Sequence, residues 1–596
     1  MKSLWLGAAG AVVLTLSLHC GNSGGSSGFG EQDGGGSSSG TSGLSSSGFG
    51  GDASDDRNRV CSGDLQSVLR DDGTLVEKCA PEQGCSAGKC IAACDAAGAA
   101  KGSLGCDYVI ATPAFHRSLL DPCFAVFVAN AWGKDAKLTV SRAGVTYDVT
   151  QFGRIPQPGA AEASWPTVPA TGLPAGQVAV LFLSSDPAAN HPIGGSMKCP
   201  VAPALPQSTA LRTSGTGKAW HIVSDVPLTA YDILPYGGAK SYLPSAGLIF
   251  PTTAWGKNYY GIVPRLGEGG GAGPQWGLIV AKDDGTKVDI VPNVALPGGG
   301  GVAPAPKNVL TSYTLNAGDF IQFHDTGDMS ASVIAADKPV AFSGGNGYIC
   351  YTGSSNTGGG CDSAHQQVPP IAAMANEYAI SPYATRRNDG QAESIKYRIV
   401  GAVDGTTLTY EPATPGAPAT LNAGQVVDFE RNTAFIVKSQ DDKHPFFLAQ
   451  TMSGCQVTSG TKGDGCLGDD EYVNLVPPAQ FLQKYIFFTD PSYKFTTVAV
   501  VRKKTAAGFK DVTIGCLGPL TGWKPIGAST EYEFTTAELV WAGAGKGTCK
   551  NGGQVASSDG AFGVMVWGMD SYASYGYPAG GNIAPINAVV VPPTPK

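Results

Sequence analysis

The chain is predicted to be all-β: four related β modules follow a small disulfide-rich segment. Gly (83) and Pro (41) are abundant and charged residues make up only 15% of 596, while Val, Thr, Tyr and Phe recur in short runs broken by turn residues. No long, capped stretch of helical period follows the N-terminus. Most informative is an internal repeat. Leu315-Asn316-Ala317-Gly318 leads to Lys338-Pro339 and then to Cys350 and Cys361, and Leu421-Asn422-Ala423-Gly424 leads to Lys443-His444-Pro445 and then to Cys455 and Cys466. Tandem sandwiches are the first expectation for the modules and a closed, propeller-like arrangement the alternative.

The elements follow in chain order. Met1-Lys2-Ser3 and the apolar run from Leu4 to Leu18 read as a signal peptide over residues 1–20. Cys20 ends that run as a candidate lipidated cysteine; His19 stands where the lipoprotein pattern prefers a small residue, so plain secretion is the alternative. Residues 21–56 form a Gly/Ser-rich linker with a reach of about 30 Å. Residues 57–106 hold Cys61, Cys79, Cys85, Cys90, Cys94 and Cys106 with little apolar content between them, so disulfides are needed in place of a core. Their connectivity stays open, because six cysteines allow fifteen pairings.

The β repeats are expected over residues 107–235, 236–368, 369–476 and 477–590, with a Pro-rich tail at 591–596. Each opens with a strand around an aromatic, at Tyr108, Tyr260, Tyr378 and Tyr485. Asp284-Gly285 and Asp404-Gly405 mark hairpins. An Ala-Gly turn follows at Ala175-Gly176, Ala317-Gly318 and Ala423-Gly424, with no readable counterpart in the fourth copy. Each repeat closes with an acidic residue, a turn and an apolar strand, at Asp225-Val226-Pro227, Asp337-Lys338-Pro339, Asp442 to Phe446 and Asp559-Gly560. The remaining cysteines fall within repeats, which predicts the pairs Cys123–Cys199, Cys350–Cys361, Cys455–Cys466 and Cys516–Cys549.

Several runs resemble a known family: Leu248-Ile249-Phe250-Pro251-Thr252-Thr253-Ala254-Trp255-Gly256-Lys257-Asn258-Tyr259-Tyr260, then Cys361-Asp362, Val368-Pro369-Pro370, and Phe562-Gly563-Val564 to Ser574-Tyr575-Gly576-Tyr577-Pro578. Their order over roughly residues 106–592 is similar to that of the IgGFc-binding protein N-terminal domain family, whose members include proteins of Gram-negative envelopes. The resemblance implies an extracellular binding or adhesive role and carries over no catalytic residues.

Few residues suit chemistry. No nucleophile elbow, His-Glu-x-x-His, phosphate loop or dinucleotide fingerprint is present. His365 beside Asp362 is the best candidate for a reactive imidazole, with a loop-ordering hydrogen bond the plainer reading, while His221 and His324 read as structural. Asp464, Asp469, Asp470 and Glu471 suit either a calcium loop or a solvated acidic loop. Trp567, Tyr572, Tyr575 and Tyr577 suit either a sugar- or protein-binding patch or core. No catalytic residue, metal or cofactor is assigned. A net charge of −8 without a basic face makes nucleic acid an unlikely partner. The expectation is a non-enzymatic surface protein, tethered to the envelope by its lipid anchor alone, that binds an extracellular protein or glycan. The rivals are a secreted enzyme acting on extracellular polysaccharide or protein and a structural envelope component.

Overall fold

Each module is built around a strand too long for one sheet: Trp220–Leu234, Ser332–Ile349 and Gly552–Asp570. In the third module it is divided into Phe435–Ser439 and Phe446–Met452. Near the middle stands Pro227, Pro339, Pro445 or Gly560. Proline removes a ladder donor and glycine adds no side chain, so pairing slips and the strand bends there. Register shifts mark the bend in the first, second and fourth modules.

The two halves therefore serve two sheets. In the second module the first half pairs with Gly256–Gly261 and Thr286–Val291. The second half pairs with Gln275–Ala281 and with Asp362–Val368. Gly215–Lys218, which precedes the first module's long strand, adds an edge to the second module's sheet through Asp319–His324.

These coordinates are a computed structural model that describes residues 59–190, 196–241, 243–265, 273–351, 360–455, 458, 462 and 466–595. The signal peptide, Cys20, the linker and Asp464 lie outside the described residues.

One tyrosine recurs at the bend. The hydroxyls of Tyr259 and Tyr378 donate to the carbonyls of Val340 (2.7 Å) and Phe446 (3.1 Å), and those of Tyr108 and Tyr485 donate to Leu228 and Phe562. All four acceptors lie one or two residues beyond the proline or glycine of the bend. Tyr260, the residue singled out in the sequence, instead reaches Ala402 O of the next module at 3.0 Å. Tyr259→Phe leaves a buried carbonyl short of a donor, and the expected loss is about 1–2 kcal/mol. It should appear as a lower urea midpoint at unchanged slope.

The strand that follows each long strand faces the middle of the molecule. These four hub strands are Ser245–Ile249, Asp362–Val368, Glu471–Asn474 and Ala573–Pro578; the first lies beyond the expected boundary at 235 and is counted with the first module because it pairs with that module's long strand. The first touches the second and the fourth, and the third touches the same two, so the four close a ring. The modules are thus two-sheet units, as in the first expectation, and are closed on one another as in the alternative.

Closure joins the first module to the fourth. Tyr231 Oη lies 3.0 Å from Ile486 O and 2.6 Å from Ala579 O. Beyond the last hub strand the chain straps the disulfide-rich segment and two modules: Ile583 N–H donates to Lys101 O, Ile586 N–H to Ala372 O, and Val591 N–H to Asn258 Oδ1.

The disulfide-rich segment is a small knot with bonds Cys61–Cys85, Cys79–Cys90 and Cys94–Cys106. The last ties the helix Ala93–Ala100 to the opening strand Leu104–Ile110. Trp132 Nε1 donates to Pro81 O and Lys484 pairs with Asp64, so the knot sits over the seam between the first and fourth modules. The later cysteines are joined as Cys123–Cys199, Cys350–Cys361, Cys455–Cys466 and Cys516–Cys549. No helix among the described residues is long and apolar enough to cross a membrane.

Candidate functional site at the ring axis

Every hub strand enters the axis from a hairpin, and the first residues after the hairpins meet one another. Ser245 Oγ donates to Glu471 Oε1 at 3.1 Å, which links the first module to the third. Ser574 N–H donates to Asp362 Oδ2 at 3.0 Å, which links the fourth to the second. Ser574 Oγ also lies 2.8 Å from Asp469 O. Both diagonals of the ring are crossed by side chains, so the axis is filled. The same contacts place the described residues at the bases of all four hairpins at one end: 235–241, 243–244, 350–351, 360–361, 453–455, 466–470 and 571–572. Two of them carry a disulfide across their base.

The acidic run at this end is buried. Asp362, Asp469, Asp470 and Glu471 are at most 2% exposed, so Asp469 to Glu471 do not form a solvated loop. The hairpin folds them back beneath the clamps to start the third hub strand. Asp362 Oδ1, Glu471 Oε2 and both oxygens of Asp470 have no hydrogen-bond partner. The Tyr351 and Gly454 N–H groups face Asp470, without a hydrogen bond of normal geometry to either oxygen.

Burial, reinforced by the neighbouring carboxyls, pushes Asp362 well above the usual carboxylate range. Burial likewise raises Asp470 and Glu471, and holds Asp469 at about 7 against the lowering influence of Arg386. Arg386 is itself fully buried. Its guanidinium lies 2.5 Å from Glu393 Oε2 and donates to Ser453 O (2.6 Å) and Leu467 O (3.1 Å) at the base of the third hairpin.

His365 is buried on the second hub strand, with Nε2 3.0 Å from Asp232 Oδ2 and its backbone N–H donating to Ser245 Oγ at 3.1 Å. The small cavity beside it is lined mainly by apolar side chains of two modules, among them Val109, Leu248 and Trp276, with Asp232, Ser343 and Gln367 as its other polar members. Its imidazole joins the second hub strand to the long strand of the first module and orders no loop among the described residues, which differs from the loop-ordering hydrogen bond expected from the sequence. His221 pairs with Asp107 at 2.7 Å on a half-exposed strand face, and His324 is buried. Trp567, Tyr575 and Tyr577 are core, and Tyr572 stands half-exposed in the fourth hairpin.

Among the described residues, the one trio of His, Cys, Asp and Glu close enough for a single ion is Cys455, Cys466 and Asp469. Its two sulfurs are bonded to each other and offer no thiolate. A larger cavity of about 370 Å³ lies between the knot and the strand Leu482–Thr489. Its only carboxylate, Asp64, is paired with Lys484.

Sequence reasoning placed Asp362, Asp469, Asp470 and Glu471 beside the clamps but missed Ser245, Ser574, Asp232 and the Arg386–Glu393 pair. The acids carried a signal, since three consecutive acids directly before the apolar Tyr472-Val473 argue against a solvent loop. The serines carried none.

The described residues thus form a closed ring of two-sheet β modules whose axis is filled and whose hub acids are buried. The profile described as IgGFc binding protein matches residues 245–568, more than half of the chain, and the chain belongs to that family of binding domains. No curated protein matches it.

Proposed function

We propose that this is a non-enzymatic protein, tethered to the cell envelope through Cys20, that binds an extracellular protein with the hairpin end of its ring. One observation carries the reading. The described bases of all four hub hairpins gather at one end, two of them clamped by a disulfide, while the strap and the helix end of the knot occupy the other. Loops on a rigid scaffold lose little entropy when they bind, and half-exposed Tyr572 supplies an aromatic anchor among them. Seven disulfides among the described residues suit an oxidising compartment.

Two experiments test it. Biotinylated protein spanning residues 55–596 is applied to arrays of extracellular proteins and of glycans, beside a variant whose 350–361 and 455–466 loops are replaced by Asn-Gly turns and a strap variant, Asn587→Ala, which removes the amide that donates to Ile371 O and Met374 O. The expected signal is on protein spots, lost with the loop exchange and kept in the strap variant. Signal on glycans alone changes the partner class, and signal indifferent to the loops defeats the proposal. For the tether, wild type should take up labelled fatty acid and partition with membranes while Cys20→Ser does neither. Release of both proteins to the medium removes the anchor.

A further inference from the structure

We propose that the outer edge of Val426–Arg431 in the third module is a second binding site, which takes an extended segment of another protein chain as an added antiparallel strand. On its inner side this strand pairs with Ile395–Gly401, and it is the last of its sheet. Among the described residues no strand pairs with its outer side.

The other three modules show what occupies this position. The corresponding strand is Val178–Ser184 in the first module, Asp319–His324 in the second and Tyr532–Trp541 in the fourth. Each is flanked on its outer side by extended chain: Gly153–Arg154, Gly215–Lys218, and Lys524–Pro525 with Ala544–Gly545. The second module's occupant is lent by the chain just before the first module's long strand. The corresponding link of the second module, 325–331, contains no strand and is already engaged: Thr326 N–H donates to Gln275 O at 3.1 Å and Asp328 pairs with Arg398 at 3.0 Å. It has nothing to lend to the third.

The backbone of the edge is presented for pairing. Gly401 N–H donates to Gln425 O at 3.1 Å, so Gln425, Val427, Phe429 and Arg431 turn their backbone groups inward, and Val426, Asp428 and Glu430 turn theirs outward. The second module shows the same arrangement filled. There Ala219 N–H donates to Gly318 O at 2.8 Å and His324 N–H to Ser214 Oγ at 3.0 Å. Gly318 and His324 stand where the third module has Gly424 and Glu430.

Main-chain hydrogen bonds hold a strand added in this way, and alternate side chains select it. Two differences between the edges define the selection. A Cβ on Gly217 would strike the Phe320 ring, whereas Val426 stands in the place of Phe320 and admits a side chain on the incoming residue. Glu430 is exposed where His324 is buried, so a Lys or Arg opposite it adds to the Lys396 contact at 3.7 Å. A second copy of this chain fits less well: overlapping the three outward residues of two antiparallel edges sets Asp428 against its own counterpart, and like charges directly opposite destabilise a pair. The Glu430 end lies beside the base of the third hairpin, where Ser394 Oγ donates to Glu430 Oε2 at 2.7 Å and Ser453 Oγ to Ser394 O at 3.0 Å. Pairing along the edge does not depend on binding at the hairpin end.

Phage-displayed random dodecapeptides selected on the intact chain, and then synthesised, test this. They should slow hydrogen exchange across 426–431 and leave 319–324, already paired on both sides, unchanged. Glu430→Pro, which removes one outward N–H, should weaken their binding by about tenfold or more, and Glu430→Ala, which keeps it, by no more than about fivefold. If Glu430→Pro fails to fold, peptides N-methylated at alternate residues decide: one set of positions should abolish binding and the other keep it. Binding indifferent to Glu430→Pro or to N-methylation overturns the proposal, as does exchange across 426–431 that no selected peptide alters. A dimer that Glu430→Pro dissociates makes the occupant a second copy and overturns the partner named here. Peptide binding at the edge without signal on any array defeats only the hairpin-end function.

Discussion

Arg386→Met lowers folding stability by about 3–5 kcal/mol, the cost of leaving a buried partner charge uncompensated. Arg386 spends its donors on Glu393, which lies only 7 residues away, and on carbonyls of Ser453 and Leu467 in the next hairpin. Removing it strands the Glu393 carboxylate in the core and leaves the hairpin base short of donors. The double variant Arg386→Met/Glu393→Gln should recover part of the loss. Arg387→Ala, which breaks only the exposed pair with Asp389, should leave the denaturation midpoint where it was. A loss below about 1 kcal/mol for Arg386→Met contradicts a charge pair of this kind.

A chain ending at Ser571 does not fold. It lacks the fourth hub strand, and with it Tyr575 and Tyr577, each 1% exposed. Losing a buried aromatic costs about 3–5 kcal/mol, so two approach the whole stability of an ordinary domain. Removal also takes Ser574 from between Asp362 and Asp469, and Ala579 from the closure onto Tyr231. Urea unfolding of the full chain should be cooperative, and the shortened chain should show no transition. A folded shortened chain means that the ring does not depend on its last hub strand.

The local grammar of the fold was legible, and its long-range joints were not. The Asp-Gly hairpins and Ala-Gly turns read as separate turn signals. In the structure they meet: Ala317 N–H donates to Asp284 Oδ1 and Ala423 N–H to Asp404 Oδ1, both at 2.9 Å. Ala175 N–H meets Asp135 Oδ1 in the same way at 3.2 Å. Sequence shows the residues but not a contact made by folding over tens of positions. In the fourth module, which lacks the motif, Lys504 N–H pairs with Glu531 O ahead of the strand Tyr532–Trp541. Tyr259 and Tyr260 are indistinguishable by type, and only the face of the strand decides which ties its own module and which ties the next. The buried acids escaped because carboxylates are ordinarily surface residues; only a ring that brings four hub strands to one axis encloses them.

The bridge between Gly102 and Asn582 lays the two ends of the ring side by side. In topology the ring is a circle. A permuted chain that joins the strap to the knot and opens between the second and third modules keeps every contact of the axis. In the natural order, the module made first waits exposed for the one made last. The seam can form only after some 480 intervening residues have been delivered, so until then the unfinished molecule carries an open flank.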